Sequence, residues 1–285
     1  MSHLSSAPPV RPRRLRVLPG FGLSLGLSLF FVALVLLLPL TGLVMNVAQL
    51  SFADYWAVIT DAQALAAFRV TLWAAAWASL VNALSGLLLA WVLVRYRFFG
   101  RGLVDALIDL PFALPTAVAG IALAALFAAD GWLGRPLAAL GVQVAVQPLG
   151  IVVAMVFTSI PFVVRAVQPV LEALPRQVEE AAATLGARPW QVFCRVILPL
   201  LSPALVSGVV LSFARSLGEY GAVIFIAGNQ PYVSKVMSLV IFERLQEFDM
   251  PAAAALASVM LAVSLLLLLL VNVWQGFFLR RFGRA

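Results

Sequence analysis

The sequence predicts an all-α polytopic membrane protein with six transmembrane helices. Of its 285 residues, 63% are hydrophobic and only 11% are charged, whereas about 25% of the residues in a soluble domain are charged. The charges also cluster between long apolar runs. A soluble protein this apolar could not cover its surface with so few charges, so most of the chain is expected to lie in lipid.

Six charge-free intervals are long enough for a spanning helix, which needs about 20 mostly apolar residues. The predicted helices cover residues 22–46, 70–93, 111–129, 149–170, 198–217 and 252–275. The first exceeds the apolar core of a cleavable signal peptide, which has about 7–15 residues, so we expect it to be retained. The uncharged interval between Glu219 and Lys235 is too short for a span, and it either continues the fifth helix or returns into the protein.

The distribution of lysine and arginine predicts the orientation. Fourteen of the 19 basic residues fall in the two tails, after the second predicted helix, and near the end of the fourth predicted helix or in the loop that follows it. Four fall on the opposite side, and Arg215 lies within an apolar span. Because cytoplasmic loops are enriched in basic residues, both termini are predicted to be cytoplasmic. The predicted organisation is a basic cytoplasmic tail (1–20), a six-helix transmembrane domain (21–280) that includes a cytoplasmic loop (171–199), and a short cytoplasmic tail (281–285).

The cytoplasmic loop predicts two short helices joined by a glycine. Pro175 suits the first turn of a helix, and Glu179 and Glu180 favour its positively polarised N-terminal end. Gly186 supplies a C-terminal stop, and Pro189 begins a second helix. Small residues at such an elbow let another backbone approach closely, although composition alone would favour an ordinary solvated linker.

The order of residues in this loop resembles the EAA loop of ABC-importer permeases. That pattern is Glu-Ala-Ala, three residues, Gly, nine residues, Ile, one residue and Leu-Pro; this chain departs from it once, with Val196 at the Ile position. In that family the loop is the coupling helix, which docks in a groove of the ATP-hydrolysing subunit. The resemblance therefore implies that the coupling positions are Glu180, Ala181, Ala182, Gly186, Leu198 and Pro199.

Other stretches resemble sulfate/thiosulfate permeases, namely residues 109–121, 161–172, 213–222 and 225–229. The alternative is a permease for molybdate or tungstate. Molybdate permeases share a stretch similar to residues 215–221, so that stretch alone does not identify the anion. The resemblance implies a type I ABC importer in the bacterial inner membrane, embedded in membrane lipid. Its other parts would be a second related permease subunit, two ATPase subunits that bind ATP and Mg²⁺, and a periplasmic sulfate-binding protein.

The residues argue against an enzyme. A phosphate-binding loop needs glycines before a Lys-Ser/Thr pair, but Lys235, the only lysine, is followed by Val236. With His3 the only histidine and Cys194 the only cysteine, we expect no catalytic residues, no metal site and no cofactor in this chain. The charges form no basic face for nucleic acid. An ion-coupled anion carrier is an alternative of a different class. It would need an acidic group inside the membrane to bind the driving ion, and the one candidate, Glu219, is already opposite an arginine.

Arg215 and Glu219 are the candidate residues of an anion pathway. They are four residues apart, so they share one helix face and are expected to pair. The pair either neutralises a buried charge or lowers the barrier to a divalent anion, and these roles are compatible. Gly218 and Gly221 permit a break in the helix here, which would aim a helix N-terminus at the anion.

Overall fold

The computed structural model describes residues 21–282, without the side chains of Val271 and residues 274–282. The predicted N-terminal tail and residues 283–285 lie outside that range, within which every regular element is helical. In chain order the elements are α1 (Phe21–Val47), α2 (Phe52–Ile59), α3 (Ala62–Arg95), α4 (Arg101–Ile108), α5 (Leu110–Ala113), α6 (Thr116–Phe127), α7 (Gly134–Ala139), α8 (Pro148–Ala173), α9 (Arg176–Thr184), α10 (Pro189–Val192), a π-helical turn (Phe193–Ile197), α11 (Leu198–Leu217), α12 (Val223–Ile226), α13 (Met237–Gln246) and α14 (Met250–Phe282).

Five helical segments are long and apolar enough to cross a membrane, which confirms five of the six predicted spans. They are α1, α3, α8, the continuous segment Pro189–Leu217 that ends with α11, and α14 as far as Leu270. α1 lies against α14, and none of its residues is buried within the protein. A helix with such an apolar surface on all sides needs lipid or another apolar partner around it.

The third predicted span, 111–129, is broken into two helices, α5 and α6. Leu114 separates them in an extended conformation (ψ 136°), because the ring of Pro115 disfavours helical geometry in the preceding residue. α6 has 12 residues and is therefore about 18 Å long, too short for a hydrocarbon core of about 30 Å. The prediction of six full-length helices is thus approximate: five are long enough to cross a membrane, and this one is short.

The core of the protein is formed by α3, α8 and α11, which pack closely at glycines. A Cβ atom added to Gly86 in α3 would lie 2.8 Å from Val163 Cβ in α8, and one added to Gly208 in α11 would lie 2.8 Å from Val163 Cα. Both distances are too short for real Cβ contacts. Small residues therefore let the backbones of all three helices approach around Val163, as is common between membrane-spanning helices.

A buried polar cluster joins the same three helices. Asn82 of α3 is fully buried, and its Nδ2 donates to Ser159 Oγ of α8 (2.9 Å) and lies 3.2 Å from Ser212 Oγ of α11. The hydroxyl of Ser212 in turn donates to Ser159 Oγ (2.9 Å), and Ser216 completes the cluster (3.2 Å). These hydrogen bonds add specific cross-links to the close packing of the helices.

The interval between Glu219 and Lys235 returns into the protein, which settles the alternative left open by the sequence. Its short helix α12 buries Val223 and Ile226 completely against α6 and α8. Gly221 has no room for a side chain, because a Cβ there would overlap Thr116 Oγ1 at the start of α6. The broken third span and the returning segment are therefore packed against each other.

Candidate functional site

Residues 176–197, called the hairpin below, form the helix–glycine–helix arrangement that the sequence predicts. α9 ends in a left-handed residue, Gly186, with φ +84°. The Gly186 N–H donates to the carbonyl of Ala183 (2.9 Å), and the Ala187 N–H donates to that of Ala182 (3.1 Å). These two bonds define a Schellman motif, whose left-handed position favours glycine because it has no Cβ.

The predicted coupling positions divide into an exposed and a half-buried group. Exposed are Glu180, Ala181, Gly186 and Pro199, while Ala182 and Leu198 are half-buried. The space over Gly186 is open, since a Cβ there would meet no atom within 4 Å. Beside it, Leu185 is 88% exposed and Trp190 is 72% exposed. Neither residue was predicted from the sequence to belong to the coupling surface, although large apolar side chains in an otherwise polar loop are a signal for a covered surface.

The hairpin continues into α11 through the π-helical turn. The Leu198 N–H bonds to the carbonyl of Phe193, five residues back. Pro199 explains this wider turn, because proline has no N–H to donate and its ring clashes with the carbonyl four residues before it. The Leu-Pro end of the motif therefore builds a distinct joint between the hairpin and the span that follows it.

The last turn of α3 holds the hairpin from the side. Arg95 Nη2 lies 2.6 Å from Glu179 Oε1 of α9. The ring of Trp91 packs edge-on against Phe193 of the π turn, with 5.4 Å between ring centroids, and Phe193 stacks on Trp190 (5.8 Å). From the sequence, Arg95 and Glu179 were expected only on the same side of the membrane, and nothing in their spacing indicated a contact.

A second charged cluster joins α4 to α8. Arg165 donates from Nε to Asp109 Oδ1 (2.9 Å), from Nη1 to Asp105 Oδ1 (2.7 Å) and from Nη2 to Asp109 Oδ2 (2.5 Å). It donates further to Gln168 Oε1 (2.7 Å) and to the carbonyl of Asp105 (3.0 Å). The two aspartates thus bind an arginine, and no group of three or more His, Cys, Asp or Glu side chains placed to hold a metal ion occurs between residues 21 and 282.

Arg215 and Glu219 form the ion pair that their spacing predicts. Arg215 Nη1 lies 2.8 Å from Glu219 Oε2, and the side chain of Glu219 is only 1% exposed while that of Arg215 is 34% exposed. The two side chains attract each other by charge, but Glu219 Oε2 does not accept an aligned hydrogen bond. The other carboxylate oxygen accepts from the Ala222 N–H (3.0 Å). A carboxylate this deeply buried requires such compensation.

The helix does break at the predicted glycines, since α11 ends at Leu217 and α12 begins at Val223. The new N-terminus is nevertheless not free for an anion. Its first amide, that of Ala222, already binds Glu219, and α12 has only four residues. At this break, the positive charge that an anion could meet is therefore that of the Arg215 side chain, and not the N-terminus of α12.

Comparison with known proteins places the chain among transport permeases. The family described as "Binding-protein-dependent transport system inner membrane component" matches residues 82–284. The sulfate transport system permease protein CysT of Escherichia coli K12 is 64% identical over 269 residues, covering 94% of this chain and 96% of that protein. The protein of the same name from Synechocystis is 46% identical over 248 residues, covering 87% of each chain.

The fold also matches a solved transporter. A crystal structure of a bacterial ABC transporter that imports the acidic polysaccharide alginate contains a chain that is 20% identical, with a TM-score of 0.75, and the match covers 93% of this chain and 97% of that one. At this identity the likeness concerns the fold, and it confirms the permease architecture that the resemblance implied. The chain belongs to the family of binding-protein-dependent transport system inner membrane components.

Proposed function

We propose that this chain is a permease subunit of an ATP-driven sulfate importer. The observation that carries the proposal is the 64% identity, over nearly the whole chain, to a protein named as a sulfate transport permease. The hairpin supports it, because its glycine turn and exposed apolar side chains suit a surface that another subunit covers. Sulfate or thiosulfate is favoured over molybdate, since the relatives considered above are named for sulfate.

The remaining parts of the importer follow from the same proposal. A second, related permease subunit would complete the pathway, and two ATPase subunits would bind ATP and Mg²⁺ below the hairpin. A periplasmic sulfate-binding protein would deliver the anion. A related arrangement supports this scheme: the alginate transporter has been crystallised in complex with its substrate-bound periplasmic protein. This chain itself would then bind neither nucleotide nor metal.

In this scheme the hairpin couples ATP hydrolysis to transport. The positions that would meet the ATPase are the exposed Glu180, Ala181, Gly186 and Pro199. Ala182 and Leu198 would support them from beneath, since both are half-buried. Leu185 and Trp190 would add apolar contacts at the same surface.

The coupling role is tested by replacing Gly186 with valine in the complete complex. Valine resists the positive φ of this position, so the turn is expected to distort, with loss of sulfate uptake and of sulfate-stimulated ATP hydrolysis. Gly141→Val is the matched control, because Gly141 also has positive φ (76°) and open space around it but lies outside the hairpin. Parental activity of Gly186→Val, or equal loss in both variants, would contradict the coupling role.

The choice of anion is tested by measuring ATP hydrolysis in vesicles that contain the complex and its binding protein. Sulfate and thiosulfate are expected to stimulate hydrolysis, and molybdate is not. Stimulation by molybdate alone would assign the importer to the alternative anion. Uptake driven by an ion gradient without ATP would favour a secondary carrier.

The proposed location is the bacterial inner membrane with the hairpin and both termini in the cytoplasm, which rests on the bias of basic residues toward one side. Cys194 tests it, since it is the only cysteine and is half-buried in the π turn. A membrane-impermeant thiol reagent is expected to label it in inverted vesicles and to miss it in right-side-out vesicles. The opposite pattern would reverse the orientation and separate the hairpin from the ATPase.

Arg215 and Glu219 are proposed to lie on the anion pathway. The side chain of Arg215 is about one-third exposed, and among the described residues its polar contact is the single ion pair with Glu219. A guanidinium carries five N–H donors, so most of them remain available to an oxyanion. The negative charge of Glu219 weakens the attraction of Arg215 for an anion. The anion would therefore bind transiently and be released.

A further inference from the structure

One face of α3 contacts both arms of the hairpin. Arg95 and Trp91 are four residues apart and so lie on the same side of the helix, with Arg95 Cζ 5.8 Å from the centre of the Trp91 ring. Arg95 pairs with Glu179 on the first arm, and Trp91 packs against Phe193 on the second. The end of this helix therefore contacts the hairpin on both sides of Gly186.

The ionic contact is sheltered from solvent. The side chain of Arg95 is 10% exposed and that of Glu179 is 25% exposed, and Arg95 Nη2 also donates to the carbonyl of Leu174 (3.4 Å). Charges removed from water attract each other more strongly than charges at an open surface. The pair is thus able to transmit force between the hairpin and α3, which a weak ion pair at an open surface could not do.

Of the three core helices, α3 is the best suited to carry a displacement. It has 34 residues without an internal proline, whereas α8 contains Pro161 and Pro169 and α11 contains Pro203. Proline is a principal cause of kinks in helices. The covalent path from the hairpin into α11 also passes through the π turn and Pro199, so it is the softer route.

α3 is also engaged near its opposite end. The buried Thr71 Oγ1 accepts a hydrogen bond from the Met237 N–H (2.8 Å) at the start of α13. A helix of this length spans about 50 Å. Displacement of its hairpin end is therefore able to reach the start of α13 without passing through a proline.

We propose that Arg95 and Trp91 are positioning residues that lock the hairpin to α3, so that α3, rather than α11, carries hairpin movement across the membrane. The proposal rests on the coupling role given under the proposed function. On the hairpin, Glu179 contacts Arg95 and Phe193 contacts Trp91. Loss of either contact uncouples ATP hydrolysis from anion movement without removing the docking surface of the hairpin.

The test measures sulfate uptake and ATP hydrolysis in the same proteoliposomes, with the complete complex and its binding protein. Arg95→Gln and Trp91→Leu are each expected to raise the ATP hydrolysed per sulfate imported by about threefold to tenfold. Exchange of the charges, Arg95→Glu with Glu179→Arg, is expected to return that ratio to within about twofold of the parental value. Arg69→Gln is the matched control, since Arg69 is exposed on the same helix and has no ion pair among the described residues.

A merely structural role gives a different result. It lowers the yield of assembled complex, and uptake and hydrolysis then fall together with an unchanged ratio. An unchanged ratio in assembled Arg95→Gln and Trp91→Leu complexes would overturn the proposal. If the single variants do not assemble, the charge-exchanged complex decides: a parental ratio supports the lock, and a raised ratio or a failure to assemble refutes it.

The parental complex separates this inference from the proposed function. If it responds to molybdate and not to sulfate, the anion is wrong and the same ratio is measured with molybdate. If none of sulfate, thiosulfate and molybdate stimulates ATP hydrolysis, the coupling role fails and the lock fails with it.

Discussion

Arg165 and Arg215 are almost equally exposed, at 33% and 34% of the side chain, yet their surroundings differ. Arg165 makes five hydrogen bonds, to two aspartates and a glutamine. Arg215 has a single ion pair with a buried glutamate within residues 21–282. The exposed fraction of an arginine side chain therefore does not reveal what that arginine does. The occupancy of the N–H donors distinguishes Arg165, whose donors are all used within the protein, from Arg215, whose donors are largely unoccupied within the described residues.

The strongest test of this difference is Arg215→Ala. The change leaves Glu219, which is 1% exposed, without a positive partner, and breaking a buried pair in this way costs about 3–5 kcal/mol. We expect a marked fall in the thermal stability of the purified complex, together with loss of sulfate uptake. Parental stability would show that the pair contributes little to the fold.

The double variant Arg215→Ala with Glu219→Ala then separates structure from transport. No buried charge remains unpaired, so most of the lost stability is expected to return. If Arg215 lies on the anion pathway as proposed, uptake of sulfate is expected to stay low, because its positive charge is missing. Full recovery of uptake in assembled complexes would remove Arg215 from the pathway and reduce the pair to a structural one.

An intermediate effect is expected for Arg165→Lys. An ammonium group lacks the planar fork that binds Asp109 through two nitrogens, so we expect a loss of about 1.5–3 kcal/mol in stability, the contribution of one hydrogen bond to a charged group. Uptake per assembled complex should remain parental, since Arg165 has no donor left for an anion. A fall in that uptake at unchanged stability would contradict a purely structural role of Arg165 in joining α4 to α8.

The smallest effect is expected for Arg244→Gln, which provides the baseline for both arginines. Arg244 pairs with Glu247 at 3.3 Å, with side chains that are 38% and 61% exposed. Exposed pairs of this kind contribute about 0–1 kcal/mol. The thermal midpoint and the uptake should both stay near the parental values. A large loss of uptake would instead indicate that a partner protein covers this pair.

The local parts of this molecule could be predicted from the sequence. Gly186 ends a helix in the left-handed conformation, and Arg215 pairs with Glu219, because both outcomes depend on residues within one or two helical turns. The positions of five spans followed from uncharged intervals alone. The break at Leu114 was missed, although Pro115 signals it, because a count of apolar residues does not register a change of backbone direction.

The contacts between distant segments could not be predicted. Arg95 meets Glu179, and Arg165 meets Asp105 and Asp109, across separations of more than 50 residues. The charge bias placed each set on one side of the membrane, but many pairings satisfy that condition. Which pair forms depends on how α3, α8 and α4 pack. The sequence indicates that Gly86 suits close packing, but the residue it meets, Val163, is seen only in the structure.

The buried amide of Asn82 has a consequence for how the chain is made. Its hydrogen-bond partners, Ser159 and Ser212, belong to spans that are synthesised later. When α3 first enters the bilayer, this amide has no partner from those spans, and hydrocarbon offers none. Stable residence of α3 in the membrane is therefore completed only when α8 and α11 arrive. The polar cluster thus makes the stable packing of an early segment depend on the synthesis of later ones.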